Sequence, residues 1–115
     1  LKPQETCIGN VLQEEGFHTG YIRKSHLDSP EQNFTSHPKS GAENWDAYTP
    51  PGERRQGFEY WLSYGACDDH LTPHYWADSP EQICPGKWSA QYETDKALEY
   101  LGDHKDGECP FAIFV

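Results

Sequence analysis

The sequence predicts an α/β fold with a mostly parallel sheet flanked by helices. Two stretches, one near each end, carry apolar residues at helical spacing. Short aromatic or aliphatic runs bounded by glycine lie between them. A final run, FAIFV, is apolar without alternation, as strands buried on both faces of a parallel sheet are. Helix, strand, aromatic strand, helix, buried strand is the cadence of an α/β sheet.

Residues 4–15 read as the first helix: Ile8, Val11 and Leu12 share a face, Thr6 stands where a cap is needed, and Gly16 stands where a helix stops. FHTGYI then reads as a short strand. Residues 27–56 are rich in Pro, Gly, Ser, Asn and charge, the chemistry of a long surface excursion. GFEYWLSYG, 57–65, is aromatic and bounded by glycines, which suits a strand. Residues 66–92 return to loop composition. Glu93 to His104 reads as the second helix, with Thr94 as its cap and Ala97, Leu98 and Leu101 along one face. DGECP breaks it ahead of FAIFV. The sequence stops inside that last strand with no polar tail, so the expectation is that 1–115 is an internal segment of a larger domain.

Composition restricts what such a segment does. The 115 residues carry a formal net charge of -10 and only 35% hydrophobic residues, so any core is small. An acidic chain lacks the basic face that nucleic acid or an anionic membrane requires, and no apolar run approaches the roughly 20 residues that span a bilayer. No signal peptide is recognisable. Cys7, Cys67, Cys84 and Cys109 are irregularly spaced, so a disulfide scaffold is open but not indicated. Asn33 to Thr35 forms a glycosylation sequon, which matters only in a secreted eukaryotic chain.

Against that acidic background the tightest knot of positive charge is GYIRKSHLDS, 20–29. In open parallel sheets the ligand crevice lies at the carboxyl ends of the strands, and Lys24 and His26 follow the end of TGYI. Side chains alternate along an extended segment, so residues 24 and 26 point one way, and Arg23 and Ser25 the other. A lysine offers three donors on a full charge, and a histidine adds a directional donor. The pair suits the non-bridging oxygens of a sulfate or phosphate. The same RKSH run also reads as a solvated turn.

The stretch LKPQETCIGNVLQEEGFHTGYIRKSHLDS resembles the part of sulfatases in which a helix and L.E.GY.TG lead into a strand and then GKWHL. PPGERRQGFEYWLSYGACDDHLTPHYWAD and TDKALEYLGDHKDGECPFAIFV are similar to the matching continuation in bacterial arylsulfatase-like enzymes, in the same order. The resemblance implies a fragment of an alkaline-phosphatase-like sandwich, from an enzyme that hydrolyses sulfate esters of small molecules or glycans. It implies that Lys24 contacts the sulfate, and that His26 hydrogen-bonds the sulfate or a formylglycine-derived nucleophile. The family usually has Gly where Arg23 stands and Trp where Ser25 stands. It also implies a divalent cation, calcium as a rule, and a nucleophile from a C/S-x-P-x-R motif. None of the four cysteines fits that motif, so the nucleophile and the main metal ligands are expected outside this segment, which alone is expected to be inactive. A periplasmic or extracellular location follows from the resemblance only.

Two rival readings remain. CDDHLTPHYW gathers Cys67, Asp68, Asp69, His70 and His74, but no second half-site follows and Pro73 interrupts any helix that would align the histidines, so metal binding is disfavoured. In the family this stretch lies near the substrate entrance, which makes His70, His74 and Tyr75 candidates for contact with the organic part of a substrate. Trp45, Trp61, Trp76 and Trp88 could instead form the stacking platform of a carbohydrate-binding module, although Trp61 falls in a strand and reads as core. A phosphatase or phosphodiesterase of the same superfamily is a further alternative.

Overall fold

The computed structural model describes residues 4–25, 46–66 and 69–115. His26, the sequon, Trp45, Cys67 and Asp68 lie outside the described residues. The elements are α1 (Ile8–Glu14), β1 (His18–Lys24), β2 (Tyr60–Tyr64), α2 (Ser89–His104) and β3 (Phe111–Phe114), with a short 3-10 turn at Glu53–Arg55. The described strands form a parallel sheet in the order β2-β1-β3, so the predicted α/β architecture is observed. β1 is central: Gly20 pairs with Tyr60 on one side and Ile113 on the other, and Lys24 pairs with Tyr64.

The α2 face of the sheet carries the core. Ile22, Leu62 and Tyr64 pack with Tyr48, Tyr75 and Trp76, and Tyr92, Ala97 and Ile113 close over them. Gly20 leaves room for the Tyr100 ring, which would stand 3.1 Å from a Cβ placed there. The buried positions of α2 are Ser89, Glu93 and Tyr100, while Leu98 and Leu101, expected on the inner face, are exposed. Helix α2 also begins a turn earlier than expected. Thr94 is no cap: its hydroxyl donates to the Ala90 carbonyl at 2.7 Å, one turn back within the helix.

The α1 face is built differently. The helix starts at Ile8 because the Asn10 side chain accepts the Cys7 N–H at 2.9 Å, which leaves Thr6 outside. It ends in a Schellman turn, Gly16 N–H to Gln13 O and Phe17 N–H to Leu12 O, both 3.0 Å, with Gly16 at φ 83. Ile8 and Val11, expected to face the core, are exposed. The buried residue is Gly9, set against Gln56 O and the Phe58 ring. Backbone meets backbone there, which side chains on a conventional apolar stripe would prevent. Beneath α1, Tyr21 stacks on Trp61 at 4.9 Å and Phe58 meets Phe114 edge-on at 5.3 Å, beside a cavity of about 220 Å³.

Much of the described part of the expected surface excursion is buried, although residues 51–53 are exposed. Asp46, Ala47, Tyr48, Thr49, Arg55 and Gln56 are all inside. The Arg55 guanidinium donates to Thr49 O at 3.2 Å, Ala77 O at 2.7 Å and Asp78 Oδ1 at 2.7 Å, and it lies 5.6 Å from the centre of the Trp61 ring. One side chain thus clamps 49–55 to 77–78 and spares Arg55 an unpaired buried charge. Within the 69–92 stretch, the antiparallel bridges Ser63 to Trp76 and Tyr75 to Ile83 tie the chain back to β2. Composition missed both segments because their polar groups are satisfied by tertiary contacts.

Gly57 adopts φ 86, and a Cβ there would stand 2.3 Å from Asn10 N and 2.4 Å from Gly9 C. Gly57→Ala is expected to cost about 3 kcal/mol from positive-φ strain and backbone overlap together, read as a fall in the denaturant midpoint at unchanged slope. Loss below about 0.5 kcal/mol, the range of an ordinary surface change, would show that α1 does not dock through this glycine.

Candidate functional site at the carboxyl end of the sheet

Lys24 is the last residue of β1 and half-buried, so it lies within the strand end and not beyond it. Its carbonyl accepts the Tyr21 hydroxyl, and the next residue continues the pairing, with Ser25 N–H donating to Tyr64 O at 2.9 Å and Ser25 Oγ at 3.2 Å. Both bonds tie the chain after Lys24 to the end of β2. Arg23 has φ 120, the one residue of β1 outside the extended region normal for a side-chain-bearing residue. Glycine enters that region freely, whereas another residue is strained by about 1–3 kcal/mol. The backbone thus takes a glycine-like conformation just before Lys24, at a position where the resembling family usually has Gly. The pairing with β2 continues through this residue, and Arg23 is exposed.

Beside this strand end lies the most constrained polar group described. Asp46 is fully buried; its Oδ1 accepts the N–H groups of Gly65 at 2.9 Å and Ala66 at 3.2 Å, immediately after β2, and its Oδ2 meets His74 Nε2 at 2.6 Å. Burial opposes its ionisation, but the His74 hydrogen bond, the His74 charge and the two backbone donors prevail and hold the carboxyl below its ordinary value. The His74 ring stands edge-on to Trp76 at 4.9 Å.

The three residues expected at a substrate entrance separate. Tyr75 is fully buried; its hydroxyl donates to Glu93 Oε1 at 2.9 Å, and burial, then that bond, push its pKa upward. His74 is 5% exposed and engaged by Asp46. Their places in the core, filled because Trp76 and Tyr75 return beside β2, leave them next to no surface for a ligand. His70 is exposed at the mouth of a shallow recess shared with Tyr64, Asp69 and Ser89; its Nδ1 is 3.2 Å from Ser89 Oγ, and its carbonyl accepts the Ser89 N–H at 2.8 Å. Sequence reasoning missed Asp46, whose only signal is an aspartate among apolar neighbours in NWDAY.

Trp61 and Trp76 are buried and Trp88 is 56% exposed, so among the described residues no tryptophan platform forms. Cys7, Cys84 and Cys109 are free thiols. No group of three or more His, Cys, Asp or Glu among the described residues could hold a metal ion, and no helix there is long and apolar enough to cross a membrane. The Asp46 carboxylate, already held by three donors, offers no cation site.

No family model matches the chain. It is similar over its whole length to curated sulfatases: 39% identical to the endo-4-O-sulfatase of Bacteroides thetaiotaomicron and 34% identical to the ulvan-active sulfatase of Formosa agariphila. The chain spans 24% and 20% of those two relatives. Among solved structures, YidJ of Bacteroides fragilis, assigned to the sulfatases, superimposes with a TM-score of 0.88 at 36% identity, over 98% of this chain and 25% of that one. A Bacteroides thetaiotaomicron enzyme designated 4S-sulf, from a locus for glycosaminoglycan metabolism, gives 0.82 at 37% identity, over 100% and 25%. The fold of this chain is that of a sulfatase segment, and its relatives are sulfatases, not carbohydrate-binding modules or phosphatases.

Removing the buried carboxylate in Asp46→Ala strands two backbone N–H groups and the His74 donor, an expected loss of about 3–5 kcal/mol. Because the Asp46 pKa is depressed when folded, its contribution is fully present above the unfolded value near 3.8 and is lost as pH falls below it through the folded value. Unfolding free energy followed from pH 6 downward is therefore expected to fall less steeply in Asp46→Asn than in the wild type. Equal acid limbs would contradict the assignment.

Proposed function

We propose that this chain is the part of a sulfatase that grips the sulfate group of a sulfate ester, with Lys24 and His26 as the anion-binding residues. The observation that carries the reading is the place of Lys24: it ends the central strand of a parallel sheet, at the edge where such sheets bind ligands, in a chain similar throughout to sulfatases. As the ester S–O bond breaks, charge develops on the oxygens of the transferring group, and a fixed ammonium there stabilises that state more than the ground state. His26 supplies a second donor to the same group. His70, exposed in the recess beyond β2, is proposed to touch the organic part of the substrate; His74 lines that recess from within.

The names of the relatives support a glycan carrying the ester, and with it an enzyme working outside the cytoplasm where such glycans are met. Sulfatase relatives also imply a metal-dependent reaction. The main ligands of the cation are proposed to lie outside this segment, and the part proposed for Lys24 and His26 is anion binding.

Lys24→Ala in the full-length protein is expected to lower kcat/KM for sulfate ester hydrolysis by roughly a hundredfold while shifting Tm little. His26→Ala is expected to act alike, and the double variant to fall short of the product of the two, since both grip one group. Wild-type turnover by Lys24→Ala would end the assignment.

A further inference from the structure

Arg23 combines three properties that do not ordinarily occur together. Its backbone is held at φ 120, where glycine would rest without strain. Its side chain is exposed and, among the described residues, makes no ion pair or hydrogen bond, although the chain carries a net charge of -10. It directly precedes the proposed sulfate lysine, with α-carbons about 3.8 Å apart. Packing does not explain the residue, because an exposed side chain buries little. Strain of this kind persists where the surrounding structure enforces it, and it concentrates at ligand-binding sites.

We propose that Arg23 is a specificity-determining residue that binds a second anionic group of the substrate, a carboxylate or further sulfate on a sugar beside the one that carries the scissile ester. The inference rests on the reading of Lys24 given above and adds the substrate class, a polyanionic glycan in place of a simple aryl sulfate. The guanidinium fork suits either oxyanion in bidentate fashion, which the ammonium of Lys24 does not. Consecutive residues of a strand are directed to opposite faces, which keeps the two cations apart, Arg23 on the side of Tyr21 and Lys24 on the other. The position also favours an effect outside the core. Arg23 acts by charge on the Tyr21 hydroxyl, whose bond to the Lys24 carbonyl it leaves in place.

The test compares wild type, Arg23→Gly and Arg23→Lys in the full-length protein on two probes, a monoanionic aryl sulfate and a sulfated disaccharide that bears a uronate carboxylate. In Arg23→Gly the ratio of kcat/KM for the disaccharide over the aryl sulfate is expected to fall about fivefold, mainly through KM. Arg23→Lys is expected to restore part of it, and the wild-type preference to shrink as salt is raised. Arg23→Gly is expected to melt no lower than wild type, because the strain is gone. An unchanged ratio in Arg23→Gly, with Lys24→Ala still impaired, overturns the inference and leaves the sulfate site standing. Full turnover by Lys24→Ala overturns both.

Discussion

A carboxylate with no access to water holds the carboxyl end of this sheet together. Asp46 takes two backbone donors just beyond β2 and the ring of His74, so three stretches far apart in sequence converge on one side chain. Its burial makes the arrangement all or nothing, because a buried acceptor that loses its donors is costly while a satisfied one is nearly neutral. The loop after β2 is thereby fixed at its start by Gly65 and Ala66 and at its return by His74. Tyr75 and Trp76 follow directly and fill the core. The recess at which His70 is exposed takes its shape from residues that no ligand reaches.

The two faces of the sheet solve the packing problem in opposite ways. On the α2 side, aromatic rings fill space, with Tyr100 seated over Gly20 and Tyr75 bonded to Glu93. On the α1 side the helix comes in through Gly9 and Gly57, and the rings of Tyr21, Phe58 and Trp61, on the strands and the turn before them, pack against one another. Glycine is thus placed wherever two elements approach closely. Arg23 is the exception that takes a glycine-like conformation with a large charged side chain, next to the residue with the strongest claim to bind an anion.

The position of Lys24 was legible in the sequence, for a physical reason. Strand ends in parallel sheets are ligand sites by geometry, and a cationic run at such an end in an acidic chain stands out from the one-dimensional pattern, as Lys24 does. The order of blocks around it pointed to the sulfatases, and similarity over the whole chain bears that out. His74 and Tyr75 illustrate the limit. Histidines and aromatics in a polar stretch look like ligand contacts, and nothing local reveals that the chain doubles back to pair Trp76 with Ser63.

Period, turn residues and local charge were enough to predict the class of the fold, the described helices α1 and α2, the strands β1, β2 and β3, and a lysine near the end of the first strand. Element edges moved most at the starts of the two helices, by about a turn each, where Asn10 and the Trp88 junction set the first residue. Only the tertiary structure decided which faces are inward. Ile8, Val11, Leu98 and Leu101 are apolar at helical spacing yet exposed, while Asp46, Arg55 and Glu93 are charged yet buried. Hydrophobicity ranks residues one at a time, whereas burial depends on whether a partner stands opposite. For these charged side chains the partners are carbonyls, backbone N–H groups and a tyrosine hydroxyl brought from distant parts of the chain.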